Sequence, residues 1–243
     1  MTSRHDPPSP ALRRWLGASV GSGLMLALPG LARAAVGPTE TLTVHTFGDS
    51  VLDCGHYNPY GVHPGRLMVH NNDRLFPEFR GQDLQSRGPA VLVHRAVDGA
   101  TVAGLPAQAR GLQPPANAMA LLTVGGNDLI RGLAADGGRG VRAFEAALDA
   151  FLKALPIRPV LLGTVYDPTF GDDARNFLGV PARLARANHR RVNDVIAALA
   201  QRYGRLVDLH AHFLRGDASW FTRTIEPSLT GASEIRRAFL AAV

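Results

Sequence analysis

Short runs of apolar and β-branched residues recur along residues 35–243, each bounded by glycine, proline or polar residues. Uninterrupted apolar runs of strand length, separated by long connections, are typical of a parallel sheet that is buried on both faces. The pattern therefore predicts an α/β domain with a parallel sheet. The five predicted strands are Thr41–Phe47, Ala90–Arg95, Ala118–Val124, Pro159–Val165 and Arg205–Leu209.

The segments between the later runs carry a helical pattern. Apolar residues at spacings of three and four predict a helix over Val141–Leu155, which Pro156 ends. A second helix is predicted over Pro181–Tyr203, ending at Gly204, and a third over Gly231–Val243. These helices are expected to cover the two faces of the sheet.

The stretch 48–89 differs from the rest of the chain, because glycines and prolines interrupt it too often for one long helix. Long irregular connections are usually functional or disordered. We expect this stretch to form much of the rim of any site, and to set the size of its pocket.

Residues 1–34 have the features of an export signal. Arg13 and Arg14 precede an apolar stretch from Trp15 to Leu31, and small residues surround a cleavage position after Ala34. The arginine pair resembles a twin-arginine leader. The apolar stretch is short and broken for a membrane span, so export is favoured over anchoring. The mature protein is expected in the periplasm or outside the cell, without a stable membrane span.

Composition narrows the function classes. The chain has 243 residues, of which 46% are hydrophobic and 19% charged, as expected for one globular domain. The single cysteine, Cys54, excludes an internal disulfide or a cysteine-rich zinc module. The leader holds four of the 26 cationic and one of the 20 acidic side chains, which reduces the net charge from +6 to +3 for residues 35–243. No basic stripe emerges, so a nucleic-acid partner is not expected.

Reactive groups follow three of the predicted strands. Gly48-Asp49-Ser50 comes after the first strand, Asp98-Gly99-Ala100 after the second and Gly125-Gly126-Asn127-Asp128 after the third. Ligands of open α/β sheets lie beyond the carboxyl ends of the strands. A hydroxyl, an unhindered glycine N–H and a carboxamide at one such edge are suited to acyl transfer. Ser50 would attack a carbonyl, while its own N–H, the Gly99 N–H and the Asn127 amide stabilise the oxyanion.

These three loops, in this order, resemble those of the SGNH, or GDSL-type, hydrolase family over roughly residues 42–243. The resemblance implies a three-layer α/β/α sandwich around a flavodoxin-like sheet of five parallel strands, with a hydrolase domain over residues 35–243. It also implies hydrolysis of an ester or acyl bond, with Ser50 as nucleophile and Gly99 and Asn127 in the oxyanion hole.

The last family block, Asp-x-x-His-Pro, is not matched. Arg223 stands where the family has its aspartate, and Glu226 where it has the histidine that acts as base. An ordinary glutamate has a pKa of about 4.3 and accepts a serine proton poorly, whereas a base near 7 is suitable. Burial would raise the pKa of Glu226, and a neighbouring Arg223 would lower it.

Three interpretations of this departure stay open. Glu226 is itself the base, a histidine from elsewhere reaches Ser50, or the site binds ligands without turnover. The candidate histidines are His210 and His212, which are expected at the end of the fifth strand, and His56, His63 and His70 in the stretch 48–89. A role in capping the strand end is favoured for His210 and His212.

The sequence thus favours an exported serine esterase or acyl hydrolase that acts on a small-molecule, glycan or lipid ester. The alternatives are a non-catalytic binding module and an acyltransferase on the same fold. No cofactor and no metal is expected, and the oligomeric state is not predicted. Asp49 and Asp128 are expected to hold their turns, while Tyr166 and Asp167 are expected at the rim of the site.

Overall fold

The structure is a computed structural model that describes residues 40–243, so the predicted leader lies outside the described residues. Its centre is a sheet of five parallel strands in the order β2-β1-β3-β4-β5. This is the flavodoxin-like order, so the predicted sheet is confirmed. The strands are β1 (Leu42–Gly48), β2 (Ala90–His94), β3 (Ala118–Thr123), β4 (Val160–Gly163) and β5 (Gly204–Val207).

Helices connect the strands and cover both faces of the sheet. Two further short strands, β6 (Phe221–Thr222) and β7 (Glu226–Pro227), form an antiparallel hairpin. Within residues 40–243, no helix has the length and apolar character needed to cross a bilayer. The helices are α1 (Pro64–Val69), α2 (Leu105–Gln108), α3 (Gly126–Ile130), α4 (Arg139–Ala154), α5 (Ala182–Tyr203), α6 (Leu209–Phe213) and α7 (Leu229–Leu240).

The central strand β3 shows how the sandwich is filled. Ala120 and Leu122 belong to the core that contains residues of α4 and α5, whereas Met119 and Leu121 belong to the core that contains residues of α6 and α7. Successive side chains of a strand point to opposite faces, so one apolar strand serves both cores. The result is the three-layer α/β/α sandwich that the resemblance implied.

The chain after β5 corrects two predicted boundaries. The fifth strand ends at Val207, two residues earlier than predicted, because the Asp208 side chain accepts the Ala211 N–H at 2.9 Å and starts α6. His210 and His212 therefore lie on a helix and not at a strand end. The last helix begins at Leu229, where the Ser228 side chain accepts the Gly231 N–H at 3.1 Å.

Most of the stretch 48–89 covers the sheet, and only part of it lies at the site. Its helix α1 packs against α7. Leu67, Phe76 and Phe79 form a small core against Leu229 and Leu240. The glycines and prolines of this stretch interrupt its helices without keeping it from packing, which is why composition alone misjudged its role.

Candidate active site

The end of β1 is fixed by a glycine that no other residue could replace without distortion. Gly48 has φ +117°, and a Cβ placed on it would lie 1.7 Å from the Thr123 carbonyl oxygen. The Gln108 side chain accepts the Gly48 N–H at 2.7 Å and donates to the Gly48 carbonyl at 2.8 Å. These contacts hold the backbone two residues before Ser50.

Asp49 ties the turn of Ser50 to the neighbouring strand. One oxygen, Oδ1, accepts the Thr123 hydroxyl at 2.8 Å and the Val51 N–H at 3.2 Å. Burial raises the pKa of Asp49 to about 7, against the lowering effect of these two hydrogen bonds, and the charge of Glu226 raises it further. Asp49 therefore holds its turn, as predicted, but as a buried carboxyl that is partly protonated near neutral pH.

The second and third loops are joined to each other by three hydrogen bonds. The Asn127 carboxamide donates to the Ala100 carbonyl at 3.1 Å, and the Arg131 guanidinium donates to the Gly99 carbonyl at 3.0 Å. Asp128 accepts the Val102 N–H at 3.2 Å, which confirms its role in holding a turn. A carboxamide has two N–H donors, so the bond to Ala100 leaves one of them for a ligand.

Glu226 lies beside Ser50 because of the β6–β7 hairpin, which sequence reasoning did not predict. The turn residues Arg223 and Thr224 have φ of +48° and +76°, and Thr222 pairs with Glu226. The hairpin places the Glu226 side chain close enough to Ser50 for Ser50 to lower the pKa of its carboxyl group. Of its two oxygens, Oε2 is buried without a hydrogen-bond partner among the described residues.

The pKa of Glu226 is raised above its ordinary value, and burial is the largest cause. The nearby Ser50 side chain lowers this pKa, the charge of Asp98 raises it, and His56 and Arg223 lower it. The expected effect of Arg223 is therefore present, but burial outweighs it. Removing the carboxyl group from water makes it a stronger base than an exposed glutamate.

A polar cluster lies near Glu226, whose pKa is affected by the charges of Asp98, His56 and Arg223. Asp98 accepts the Tyr57 hydroxyl at 2.6 Å and contacts His56 Nε2 at 3.1 Å. The Arg223 guanidinium lies 5.0 Å from the centre of the Tyr57 ring. His56 and Asp98 are exposed, so this side of the site opens to water.

The other candidate histidines have partners elsewhere. His210 packs against His189, with ring centres 4.9 Å apart, and His212 Nε2 contacts the Glu234 carboxylate at 3.0 Å. His63 packs against His94 at 4.2 Å. Among the hydrogen bonds of residues 40–243, no imidazole bonds to Ser50. Glu226 is the acidic residue whose pKa the Ser50 side chain affects.

A cleft of about 120 Å³ opens beside the nucleophile. Ser50 and Asn127 line one end, and residues of the segment 164–186 form most of its walls. Tyr166 and Asp167 line it as predicted, and the Tyr166 hydroxyl donates to the Ile225 carbonyl at 2.7 Å. Of the stretch 48–89, residues 49–51 reach the cleft, and His56 and Tyr57 lie on the polar side of the site. The stretch therefore forms part of the rim, but residues 164–186 form most of the cleft wall.

Two further observations limit the chemistry. Cys54 is fully buried, and burial raises the pKa of its thiol, so it is a packing residue and not a nucleophile. In the part of the chain that the structure describes, no three histidine, cysteine or acidic side chains are grouped as metal ligands.

The sequence from residue 46 to residue 232 matches the model of the GDSL-like lipase/acylhydrolase family, which is well over half of the chain. The chain belongs to the GDSL-like lipase/acylhydrolase family. The match ends just after the start of α7 and includes all three strand-end loops and the hairpin. Membership supports ester hydrolysis as the class of reaction. A search of curated protein sequences finds no match.

Solved structures share the fold. LAE5, an alpha/beta hydrolase enzyme from the metagenome of Lake Arreo, Spain, is 24% identical with a TM-score of 0.57, over 83% of this chain and 94% of that one. Axe2, an acetylxylan esterase from Geobacillus stearothermophilus, is 20% identical with a TM-score of 0.56, over 83% and 93% of the chains. A lipolytic G-D-S-L family protein from Veillonella parvula is 17% identical with a TM-score of 0.56, over 82% and 97%.

Several residues of the site carry no signal in the sequence. Gln108, Thr123 and Arg131 hold the three loops through hydrogen bonds across the fold. Tyr57 reaches Asp98 from a residue 41 positions away. A polar residue on a short helix or at a strand end has many possible partners, so only the folded arrangement identifies these four.

Proposed function

We propose that this chain is an exported serine ester hydrolase in which Ser50 is the nucleophile and Glu226 is the general base. The observation that carries the proposal is the half-buried Glu226 side chain beside Ser50, with its Oε2 atom buried and unpartnered among the described residues, at the end of the cleft that Ser50 and Asn127 line. Export is supported by the leader sequence alone, and N-terminal sequencing of protein recovered outside the cytoplasm would test cleavage after Ala34.

In the first step, Ser50 Oγ attacks the carbonyl carbon of an ester while its proton moves to Glu226. The carbonyl oxygen becomes an oxyanion, which the Ser50 N–H, the Gly99 N–H and the second N–H of Asn127 are proposed to bind. A donor of this kind stabilises a transition state by about 3 kcal/mol. Because Asn127 and Gly99 sit in loops that are hydrogen-bonded to each other, these donors are held in place before the substrate arrives.

In the second step, the bond to the leaving oxygen breaks, and protonated Glu226 returns its proton to that oxygen as the alcohol departs. A water molecule then gives a proton to Glu226 and attacks the acyl-serine carbon. When the Ser50–acyl bond breaks, the proton returns to Ser50 and the carboxylic acid is released. One group therefore acts as base and acid in turn, as microscopic reversibility requires.

The raised pKa of Glu226 supports its use as a base in place of histidine. Burial destabilises the carboxylate, so transfer of the serine proton to Glu226 is less uphill than transfer to an exposed carboxylate. The neighbouring charge of Asp98 acts in the same direction. His56 and Arg223 act in the opposite direction and limit the rise in this pKa.

The test is hydrolysis of p-nitrophenyl acetate, together with covalent labelling by a fluorophosphonate probe. Ser50→Ala is expected to abolish both. Glu226→Gln is expected to lower kcat/KM by about 100-fold or more, since general-base catalysis contributes that much. In the wild type, kcat/KM should fall as the pH falls through the raised pKa of Glu226, and this acid limb should be absent in the Gln variant.

Glu234→Gln is the matched control, because Glu234 is a half-buried glutamate that contacts His212 and lies on α7. It should retain activity and the acid limb. Full activity in Glu226→Gln would refute Glu226 as the base. Saturable ligand binding without labelling of Ser50 would instead support a binding module, and product formed only with an added alcohol would support an acyltransferase.

A further inference from the structure

We propose that the cleft beside Ser50 is an acyl pocket, which selects esters of apolar acyl chains over acetyl esters. The chain length it accepts is about four to six carbons, by comparison with an apolar cavity that holds benzene. The proposal rests on the proposed function, because it says where the acyl chain of the ester lies when Ser50 attacks its carbonyl carbon. It concerns the substrate class, which neither the fold nor the family specifies.

The position of the cleft identifies which part of the substrate it holds. The carbonyl carbon that Ser50 attacks carries three substituents. The carbonyl oxygen faces the oxyanion donors and the leaving oxygen faces the base. The acyl chain therefore points in the remaining direction. The cleft is lined by Ser50 and Asn127 but not by Glu226 or Gly99. A cleft that touches the nucleophile and avoids the base lies on the acyl side.

The chemistry of the cleft matches an apolar chain. Most of its wall is hydrophobic, and the residues involved include Leu129, Ile130, Val165, Phe177, Leu178 and Ala182. Ile130 and Phe177 are 46% and 42% exposed, which is uncommon for large apolar side chains and places them at the mouth of the cleft. An alkyl chain entering here would remove both from water.

The ionisable groups in the wall already have partners in the protein. Asp49 accepts the Thr123 hydroxyl at 2.8 Å, and His189 Nε2 lies 2.8 Å from the Val165 carbonyl oxygen. Arg186 bonds to Asp167 and to Asp173. Asp167 also accepts the Thr169 hydroxyl at 2.6 Å and the Gly171 N–H at 3.0 Å. These bonds leave the cleft without a free charge aimed at the ligand, so a charged acyl chain has no counter-ion there.

The opposite side of the site has the reverse character. Tyr57, His56, Asp98 and Arg223 surround Glu226 with polar groups that are open to water. A leaving alcohol on this side meets hydrogen-bond donors and acceptors. The substrate class is therefore an apolar acyl group esterified to a polar alcohol.

The size of the cleft sets the chain length. An apolar protein cavity of about 150 Å³ holds benzene, a molecule of six carbons. The cleft measures about 120 Å³. An acetyl group leaves most of that space empty, whereas a butanoyl or hexanoyl group fills it.

The experiment measures kcat/KM for p-nitrophenyl acetate, butanoate, hexanoate and decanoate, which share one leaving group. Each added methylene that becomes buried should raise kcat/KM about fourfold until the cleft is full. We expect butanoate and hexanoate to exceed acetate by at least tenfold, and decanoate to gain nothing over hexanoate.

Two variants test the wall. Ala182→Phe fills the cleft and Phe177→Ala removes part of its mouth, and both should lower the ratio of hexanoate to acetate kcat/KM by about tenfold. Ala198→Phe is the control, because Ala198 is exposed on the same helix α5 and does not line the cleft. Its ratio should equal that of the wild type.

Binding without turnover separates failure of the pocket from failure of the enzyme. Hexanamide should raise the melting temperature of the wild type more than acetamide at the same concentration, and Ala182→Phe should abolish the difference. Ser50-dependent hydrolysis with no chain-length preference would overturn the acyl pocket and leave the proposed function standing. Absence of all hydrolysis would overturn the proposed function, and equal thermal shifts for the two amides would also overturn the pocket.

Discussion

The buried carboxyl of Asp49 makes the stability of this fold depend on pH in a direction opposite to that of most acidic residues. The folded-state pKa is about 7 and the ordinary value is 3.8. Because the folded protein binds the proton more tightly than the unfolded chain, Asp49 favours folding at low pH. That contribution is lost progressively as the pH rises from the unfolded pKa to the folded one.

The size of the effect follows from the two pKa values. The two pKa values differ by about three, and a pKa difference of one corresponds to about 1.4 kcal/mol. Folding with an ionised Asp49 therefore carries a full penalty of about 4 kcal/mol. About 3 kcal/mol of this develops between about pH 5 and about pH 8. Asp49 is completely buried, so solvent does not screen this penalty appreciably.

The perturbation is Asp49→Asn, which keeps the shape of the side chain and an acceptor oxygen for Thr123 and Val51. Urea unfolding at about pH 5 and about pH 8 gives the free energy of unfolding of both proteins at each pH. The variant is expected to gain about 3 kcal/mol relative to the wild type on going to the higher pH. The contributions of the other titrating groups to the pH dependence cancel in this difference, because both proteins contain them. Asp194→Asn, at an exposed position on α5, controls for the exchange itself.

A difference between variant and wild type that is the same at both pH values would refute this reasoning. It would mean that Asp49 stays ionised in the fold, and that the hydrogen bonds from Thr123 and Val51 outweigh burial. An unchanged slope of free energy against urea is needed for the comparison, because a changed slope would show that the variant alters the folded or unfolded ensemble.

Two further predictions concern buried polar groups. Gln108→Leu leaves the N–H and the carbonyl of Gly48 without partners and should cost about 2 to 4 kcal/mol by urea unfolding; a loss below about 0.5 kcal/mol would contradict this role. Arg236 is fully buried, donates to Asn71 at 2.7 Å and has a pKa lowered by burial to about 10. Arg236→Met removes the buried charge but leaves the buried Asn71 Oδ1 without its donor, so it should cost about 1 to 3 kcal/mol by urea unfolding; a loss below about 0.5 kcal/mol would refute the argument.

The strands and the reactive loops could be predicted because each depends on local sequence. A strand of a sheet buried on both faces is apolar throughout, as in Ala118–Thr123, and its pattern does not depend on distant residues. Glycines that need positive φ, such as Gly48 and Gly99, mark the turns that follow these strands. Each of these loops follows a parallel strand, so all three are expected at the carboxyl edge of the sheet.

The parts that escaped prediction depend on contacts between distant segments. Helix α6 has only five residues, too few for a periodic pattern, and its start depends on the Asp208 cap. The cleft wall at 164–186 is built on turns, in which Asp167 and Asp172 accept nearby N–H groups. The pKa of Glu226 depends on burial by residues far along the chain, so the strength of this base could not be derived from the motif.

The turn that precedes β7 lies between the part of the site proposed for the acyl chain and the part proposed for the leaving alcohol. Ile225 lines the apolar cleft, while Glu226, the next residue, reaches Ser50 and the polar cluster. The Tyr166 hydroxyl holds the Ile225 carbonyl, and Tyr166 itself lines the cleft wall. The proposed base is therefore anchored through the same side chain that shapes the acyl pocket. A change in the pocket wall at Tyr166 would move the base, whereas a change at Phe177 would not, because Phe177 is at the exposed mouth.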